Sequence, residues 1–176
     1  MIFREYADSI VAESCRQVAT AVLRTMAKEG HTSLVIAGGL PGSGVTTIIG
    51  NLAVAMHAVG HSVCVIDANF RRPRLARSFG FEADQRGLGD VLADTVTLES
   101  AIQMTDDGIS VIAAGSTETR MVERLSDERF GSVMASLRSK FNYVLVDVAP
   151  AVAATDAIQV AGRCDASALI IRAGQE

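Results

Sequence analysis

Gly39-Leu40-Pro41-Gly42-Ser43-Gly44-Val45-Thr46-Thr47 sets Gly39 and Gly44 at the separation used by phosphate-cradling loops, then supplies a pair of hydroxyls. In the pattern G-x-x-x-x-G-K-[ST], backbone N–H groups hold the phosphates and the lysine reaches the β- and γ-phosphates. The final hydroxyl ligates Mg²⁺. Here the lysine position holds Val45. Gly42, Ser43, Gly44, Val45, Thr46 and Thr47 are therefore expected to line a nucleotide's phosphates, with Thr46 at the metal and Thr47 at the α-phosphate. A charge-assisted hydrogen bond to phosphate contributes ~1.5–3 kcal/mol net. Losing the ammonium should weaken nucleotide binding by about one to two orders of magnitude. The transition state for phosphoryl transfer should lose more, because charge accumulates where that lysine points.

Two carboxylates follow apolar runs and could complete such a site. Val63-Cys64-Val65-Ile66 ends at Asp67, which can hold a Mg²⁺-bound water or orient a nucleophile. Tyr143-Val144-Leu145-Val146 ends at Asp147, the arrangement in which a carboxylate supports Mg²⁺. Asn69 offers an uncharged carbonyl oxygen, a weaker metal ligand than an aspartate. Arg71-Arg72 reads either as a solvated basic turn or as cations available to the site, with Arg71 the candidate for a catalytic role beside Asp67.

Alternating strands and helices must position these groups. Val11, Cys15, Val18, Val22 and Met26 recur at helical spacing between Asp8 and about Ala27 and predict an amphipathic helix with that inner face. Leu34-Val35-Ile36-Ala37 predicts a buried strand that feeds the loop. The spacing predicts a helix over 46–59, stopped by Gly60, and shorter helical pieces near 74–79, 88–92 and 97–104. A strand is expected over 109–113. A helix capped by Ser126 should follow, with Phe130, Val133, Met134, Leu137 and Phe141 facing inward. A short helix over 155–161 and a last strand over 168–171 complete the pattern. Apolar strands alternating with helices predict a mostly parallel sheet covered by helices on both faces, a three-layer α/β fold. Ligands in such sheets bind at the carboxyl ends of strands, where the glycine loop, Asp67 and Asp147 all fall.

The chain of 176 residues suits one domain, and its net charge of −4 gives no electrostatic case for nucleic acid. The apolar runs are strand-length and the N-terminus is charged and unlike a signal peptide, so a soluble, cytoplasmic domain is expected. Cys15, Cys64 and Cys164 lack metal-site spacing and are expected to be buried free thiols. His31, His57 and His61 show no ligand pattern.

The three blocks together resemble the cytoplasmic domain of the bacterial tyrosine kinases (BY-kinases), within the deviant Walker group of P-loop ATPases. Pro41-Gly42-Ser43-Gly44 is similar to the family's loop, and Asn51-Leu52-Ala53 to its helix. Asp67–Pro73 resembles its Walker A′ block. Gly87-Leu88-Gly89-Asp90-Val91-Leu92, Ala113-Ala114-Gly115, Phe141-Asn142-Tyr143 through Pro150, and Thr155-Asp156-Ala157 match further segments. The resemblance implies binding of ATP or ADP with Mg²⁺ and a role in capsule or exopolysaccharide synthesis. It also implies a membrane-spanning polysaccharide co-polymerase as partner, which would bring the domain to the inner face of the plasma membrane.

The departures are Val45, Asn69, Leu40 where partition-type ATPases carry their signature lysine, and Ala19. Glu13-Ser14-Cys15-Arg16-Gln17-Val18-Ala19 resembles the family's E-x-x-R-x-x-R assembly motif with its second arginine replaced, so at most a weak homo-oligomer is expected. The only tyrosines are Tyr6 and Tyr143, so the C-terminal tyrosine cluster is missing, and the sequence stops short of the family's last elements. The expectation is a catalytically impaired regulatory domain. A working tyrosine autokinase with a substitute cation, or a partition-type relative, are the alternatives.

Overall fold

The computed structural model describes residues 10–82, 86–117, 121–125, 127–151 and 156–173. Its elements run α1 (Ile10–Glu29), β1 (Ser33–Gly38), α2 (Val45–Ala58), β2 (Val63–Asp67), α3 (Leu75–Ser78), α4 (Leu88–Leu92) and α5 (Leu98–Ala101). Then come β3 (Gln103–Met104), β4 (Ser110–Ile112), α6 (Met121–Arg124), α7 (Glu128–Lys140), β5 (Tyr143–Asp147), α8 (Asp156–Ala161) and β6 (Ala166–Ile170). Ser126, Thr155 and Tyr6 lie outside the described residues.

The six-stranded sheet has the order β3-β4-β2-β5-β1-β6. Every pairing is parallel except β3 with β4. Strand side chains alternate between faces, and the core divides accordingly. Leu34, Ile36, Val63, Val65 and Leu145 pack with Ile49 and Met56 of α2 on one face. Val35, Cys64, Ile66, Val144 and Val146 pack with Leu88, Leu92, Phe130 and Leu137 on the other. β2 and β5 are buried along their whole length, as strands covered on both faces must be.

Four expectations change. The helical piece over 97–104 ends at Ala101, and Gln103–Met104 instead forms the antiparallel edge strand. Thr97 caps this short helix by accepting the Ser100 N–H, and four residues are too few for periodicity to place its end. The inner face of α1 is rotated from the expected one. Ala12, Ala19 and Met26 are the buried residues, Ala19 and Met26 packing against α2, whereas Val11 and Val18 are half exposed. Met26 and Val22 lie on the contact as expected, and Ala19, whose small side chain lets the two helices approach closely, takes the place expected for Val18. The last strand lies at 166–170 and alternates in burial, with Leu169 exposed, because β6 is an edge. Cys64 is buried as expected, while Cys15 and Cys164 are only partly so.

At the amino ends of β1 and β6, one carboxylate ties the strands together. Asp165 accepts the backbone N–H and the hydroxyl of both Thr32 and Ser33, and Arg138 of α7 donates to its second oxygen at 3.0 Å. Burial pushes its carboxyl up, but those four donors outweigh it and hold the pKa at about 2.

Candidate functional site

The loop from Gly39 to Gly44 joins β1 to α2 at the carboxyl edge of the sheet. Gly42 and Gly44 both adopt φ 84°, a left-handed conformation that costs a side-chain-bearing residue strain. Nothing lies within 4 Å of where a Cβ would stand on either, so the cradle is open. Ser43 closes the loop on itself: its Oγ donates to the Leu40 carbonyl at 2.6 Å and accepts the Leu40 N–H at 3.3 Å. Asn51, buried one turn further along α2, donates to the Thr47 carbonyl at 2.7 Å. The first intrahelical bond runs from Ile48 N–H to the Gly44 carbonyl. The N–H groups of Val45, Thr46 and Thr47 thus sit at the open first turn, where a helix carries its positive end.

Val45 is half-buried and does not lie across this cradle. It packs against the cluster of Leu34, Ile36 and Ile49, and its Cγ2 is 3.1 Å from where a Cβ on Gly38 would be.

Thr46 and Asp147 meet at the carboxyl edge of the sheet. The Thr46 hydroxyl donates to Asp147 Oδ2 at 2.7 Å, leaving its oxygen lone pairs free. Asp147 is 1% exposed, yet its Oδ1 has no partner. A buried carboxylate oxygen without a donor is costly, and a cation beside it would remove that cost. These two residues therefore fit a Mg²⁺ ion, and the open amides fit phosphates. Burial first, then the neighbouring Asp67 charge, push the Asp147 carboxyl up to about 7 against the Thr46 hydrogen bond.

Asp67 is the register partner of Asp147 on the neighbouring strand, but its oxygens are already engaged. Oδ1 accepts the Asn69 N–H at 3.1 Å, and Oδ2 accepts those of Arg74 and Leu75 at 3.1 and 3.0 Å. Burial still pushes it up to about 6, above what three donors would allow in water. Asn69 is also occupied: its side-chain oxygen accepts the Arg72 N–H at 3.2 Å. Together they fold the 69–75 segment into a compact turn that starts α3, with Arg71 and Arg72 exposed on it.

The glycine-aspartate segment opening α4 has a packing role that motif reading alone did not show. Asp90 Oδ2 accepts the N–H groups of Gly87 and Ser116, and Leu88 and Gly89 donate to the carbonyls of Ala113 and Ala114. A Cβ at Gly87 or Gly89 would collide with the backbone oxygens of Ala113 or Ser116. At its other end α4 is capped by Arg124 and Arg129, which donate to the Leu92 and Val91 carbonyls. No local signal pairs those arginines with a helix more than 30 residues earlier. Among the described residues no helix is long and apolar enough to cross a membrane.

Residues 31–176 match the family of the cellulose biosynthesis protein BcsQ. The tyrosine-protein kinase ptk of Acinetobacter johnsonii is 31% identical over 166 residues, 94% of this chain and 22% of that protein. The chain thus spans about a fifth of that relative's length. The kinase domain of the Escherichia coli tyrosine kinase ETK matches with a TM-score of 0.94 at 26% identity, covering 99% of this chain and 69% of that one. The septum site-determining protein MinD of Pyrococcus horikoshii OT3, complexed with Mg-ADP, matches with a TM-score of 0.67 at 27% identity, covering 79% of this chain and 57% of the other.

Proposed function

The chain belongs to the cellulose biosynthesis protein BcsQ family and is a domain of the bacterial tyrosine-kinase type, and from that premise we propose a nucleotide-binding regulator of exopolysaccharide or capsule synthesis whose phosphoryl transfer is impaired. One observation carries this reading. The phosphate cradle and the Thr46–Asp147 pair are intact, with Asp147 Oδ1 open, while Val45 is turned into the core where a lysine would have crossed the phosphates.

In this reading the N–H groups of Gly42, Gly44, Val45, Thr46 and Thr47 hold the α- and β-phosphates, while that of Ser43 stays on the Leu40 carbonyl. Thr46 Oγ1 and Asp147 Oδ1 hold the ion. Mg²⁺, when bound, supplies charge neutralisation at the phosphates. Asp67 fixes the turn that carries Arg71 and Arg72, and through one remaining lone-pair position it can also orient a bound water. Without a lysine, nothing on α2 offsets charge on a transferring phosphoryl group; the helix carries neither Lys nor Arg. The partner in this reading is a membrane-spanning polysaccharide co-polymerase, which places the domain at the inner face of the plasma membrane.

The names of the relatives favour a second reading, an active autokinase in which Arg71 or Arg72 replaces the lysine. Calorimetric titration with ADP and ATP, with and without Mg²⁺, separates the two. The first reading expects affinities of about tens of micromolar or weaker and no transfer of labelled phosphate to protein tyrosine. Tight, strongly Mg²⁺-dependent ATP binding with tyrosine phosphorylation would establish the second.

A further inference from the structure

We propose that this site prefers a nucleoside diphosphate to a nucleoside triphosphate, and so reports the diphosphate state instead of consuming the triphosphate. The inference rests on the nucleotide reading above and concerns which end of the ligand the chain can accommodate.

The donors are concentrated at one end of the site. Open N–H groups at the first turn of α2, behind two left-handed glycines, suit the α- and β-phosphates. Beyond them, where a γ-phosphate would extend, the lysine of the usual pattern is the principal counter-charge. Val45 supplies none: its side chain is purely apolar and packs beside Gly38 and against the apolar cluster beneath the loop. The helix has no lysine or arginine, and its one basic residue, His57, lies in the last turn, at the far end from the loop.

The same edge holds two carboxyl groups instead. Asp67 and Asp147 are register partners at the ends of β2 and β5, both buried, and among the described residues neither carboxyl group bonds to an arginine or lysine side chain; Arg74 reaches Asp67 through its backbone N–H alone. A γ-phosphate adds negative charge towards this pair without adding a donor to meet it. A cation held by Thr46 and Asp147 would offset part of the repulsion for either nucleotide. It would not restore the missing donor, so the discrimination persists in Mg²⁺.

The test compares ADP with the β,γ-methylene analogue of ATP, which cannot be hydrolysed to ADP, by calorimetry in Mg²⁺. The parent chain should bind ADP about tenfold more tightly, the usual effect of one charge-assisted contact at the γ position. Val45→Ala, which removes the packing but adds no charge, should keep that ratio within about twofold. Val45→Lys should bring the ratio to one or invert it. Equal or tighter binding of the triphosphate analogue by the parent overturns the inference while leaving the nucleotide reading in place. If the folded parent binds neither ligand, the nucleotide reading itself fails and this inference with it. Should Val45→Lys not fold, the parent and Val45→Ala ratios still decide.

Discussion

Asp67 and Asp147 stand opposite each other in register on β2 and β5, yet they are used in opposite ways. Asp67 accepts three backbone N–H groups of its own chain, on both of its oxygens, whereas Asp147 takes one hydroxyl and keeps a buried oxygen open. One aspartate builds the site's wall, and the other faces its contents. Their substitutions should therefore move stability in opposite directions.

Asp147 is raised to about 7 by burial and by Asp67, well above its unfolded value. A carboxyl with a raised folded pKa contributes stability that is complete below the unfolded pKa and is lost as pH rises through the folded one. The ligand-free protein should thus lose on the order of 3 kcal/mol between about pH 4 and pH 7 from this group. Asp147→Asn should flatten that slope and raise the melting temperature at pH 8. An unchanged pH profile in thermal melts would refute it.

Asp67→Ala leaves three amides without an acceptor, two of them at the start of α3. Each unsatisfied donor costs ~1–3 kcal/mol, and the 69–75 turn should open. Rapid proteolytic cleavage within that turn, together with a lower melting temperature, is the expected result. A fold as resistant as the parent would show the three bonds to be dispensable.

Sequence alone made much of this legible. The loop and the strands ending at Asp67 and Asp147 follow from motif spacing and continuous apolar runs, signals that local reading captures well; that the Thr46 hydroxyl bonds Asp147 directly is seen only in the fold. Valines at helical spacing look like an inner face, yet Val11 and Val18 are half exposed, because close helix packing selects the small Ala19. The occupation of Asp67 and Asn69 by their own turn was hidden, since a carboxylate's partners depend on where the following residues fold back. Gln103–Met104 was misassigned because a two-residue edge strand takes its identity from β4 and has no periodicity of its own.

Gly89→Ala should be among the most damaging small substitutions in the chain. Its Cβ would collide with the Ser116 carbonyl, in backbone rather than in a flexible side chain. We expect a loss of about 3 kcal/mol or more, read as a shifted denaturant midpoint. A shift below about 1 kcal/mol would mean that the α4–β4 junction yields easily.

Position 19 tests the assembly motif. Ala19 is 3% exposed against α2, and Glu13 and Arg16 already pair with each other at 2.8 Å. Ala19→Arg should therefore overpack the α1–α2 contact and destabilise the monomer before it can create any ring. Sedimentation of the parent should show a monomer or a weak dimer. A stable octamer formed by either chain would contradict this.

The Asp165 clasp at the amino ends of β1 and β6 lies about 17 Å of strand away from the glycine loop. What secures the scaffold and what touches a ligand are thus carried by different residues at opposite poles of one sheet. A lineage can exchange the loop lysine for valine, or trade one activity for another, without the architecture registering the change. Likeness of shape among such proteins therefore records shared ancestry more faithfully than shared occupation.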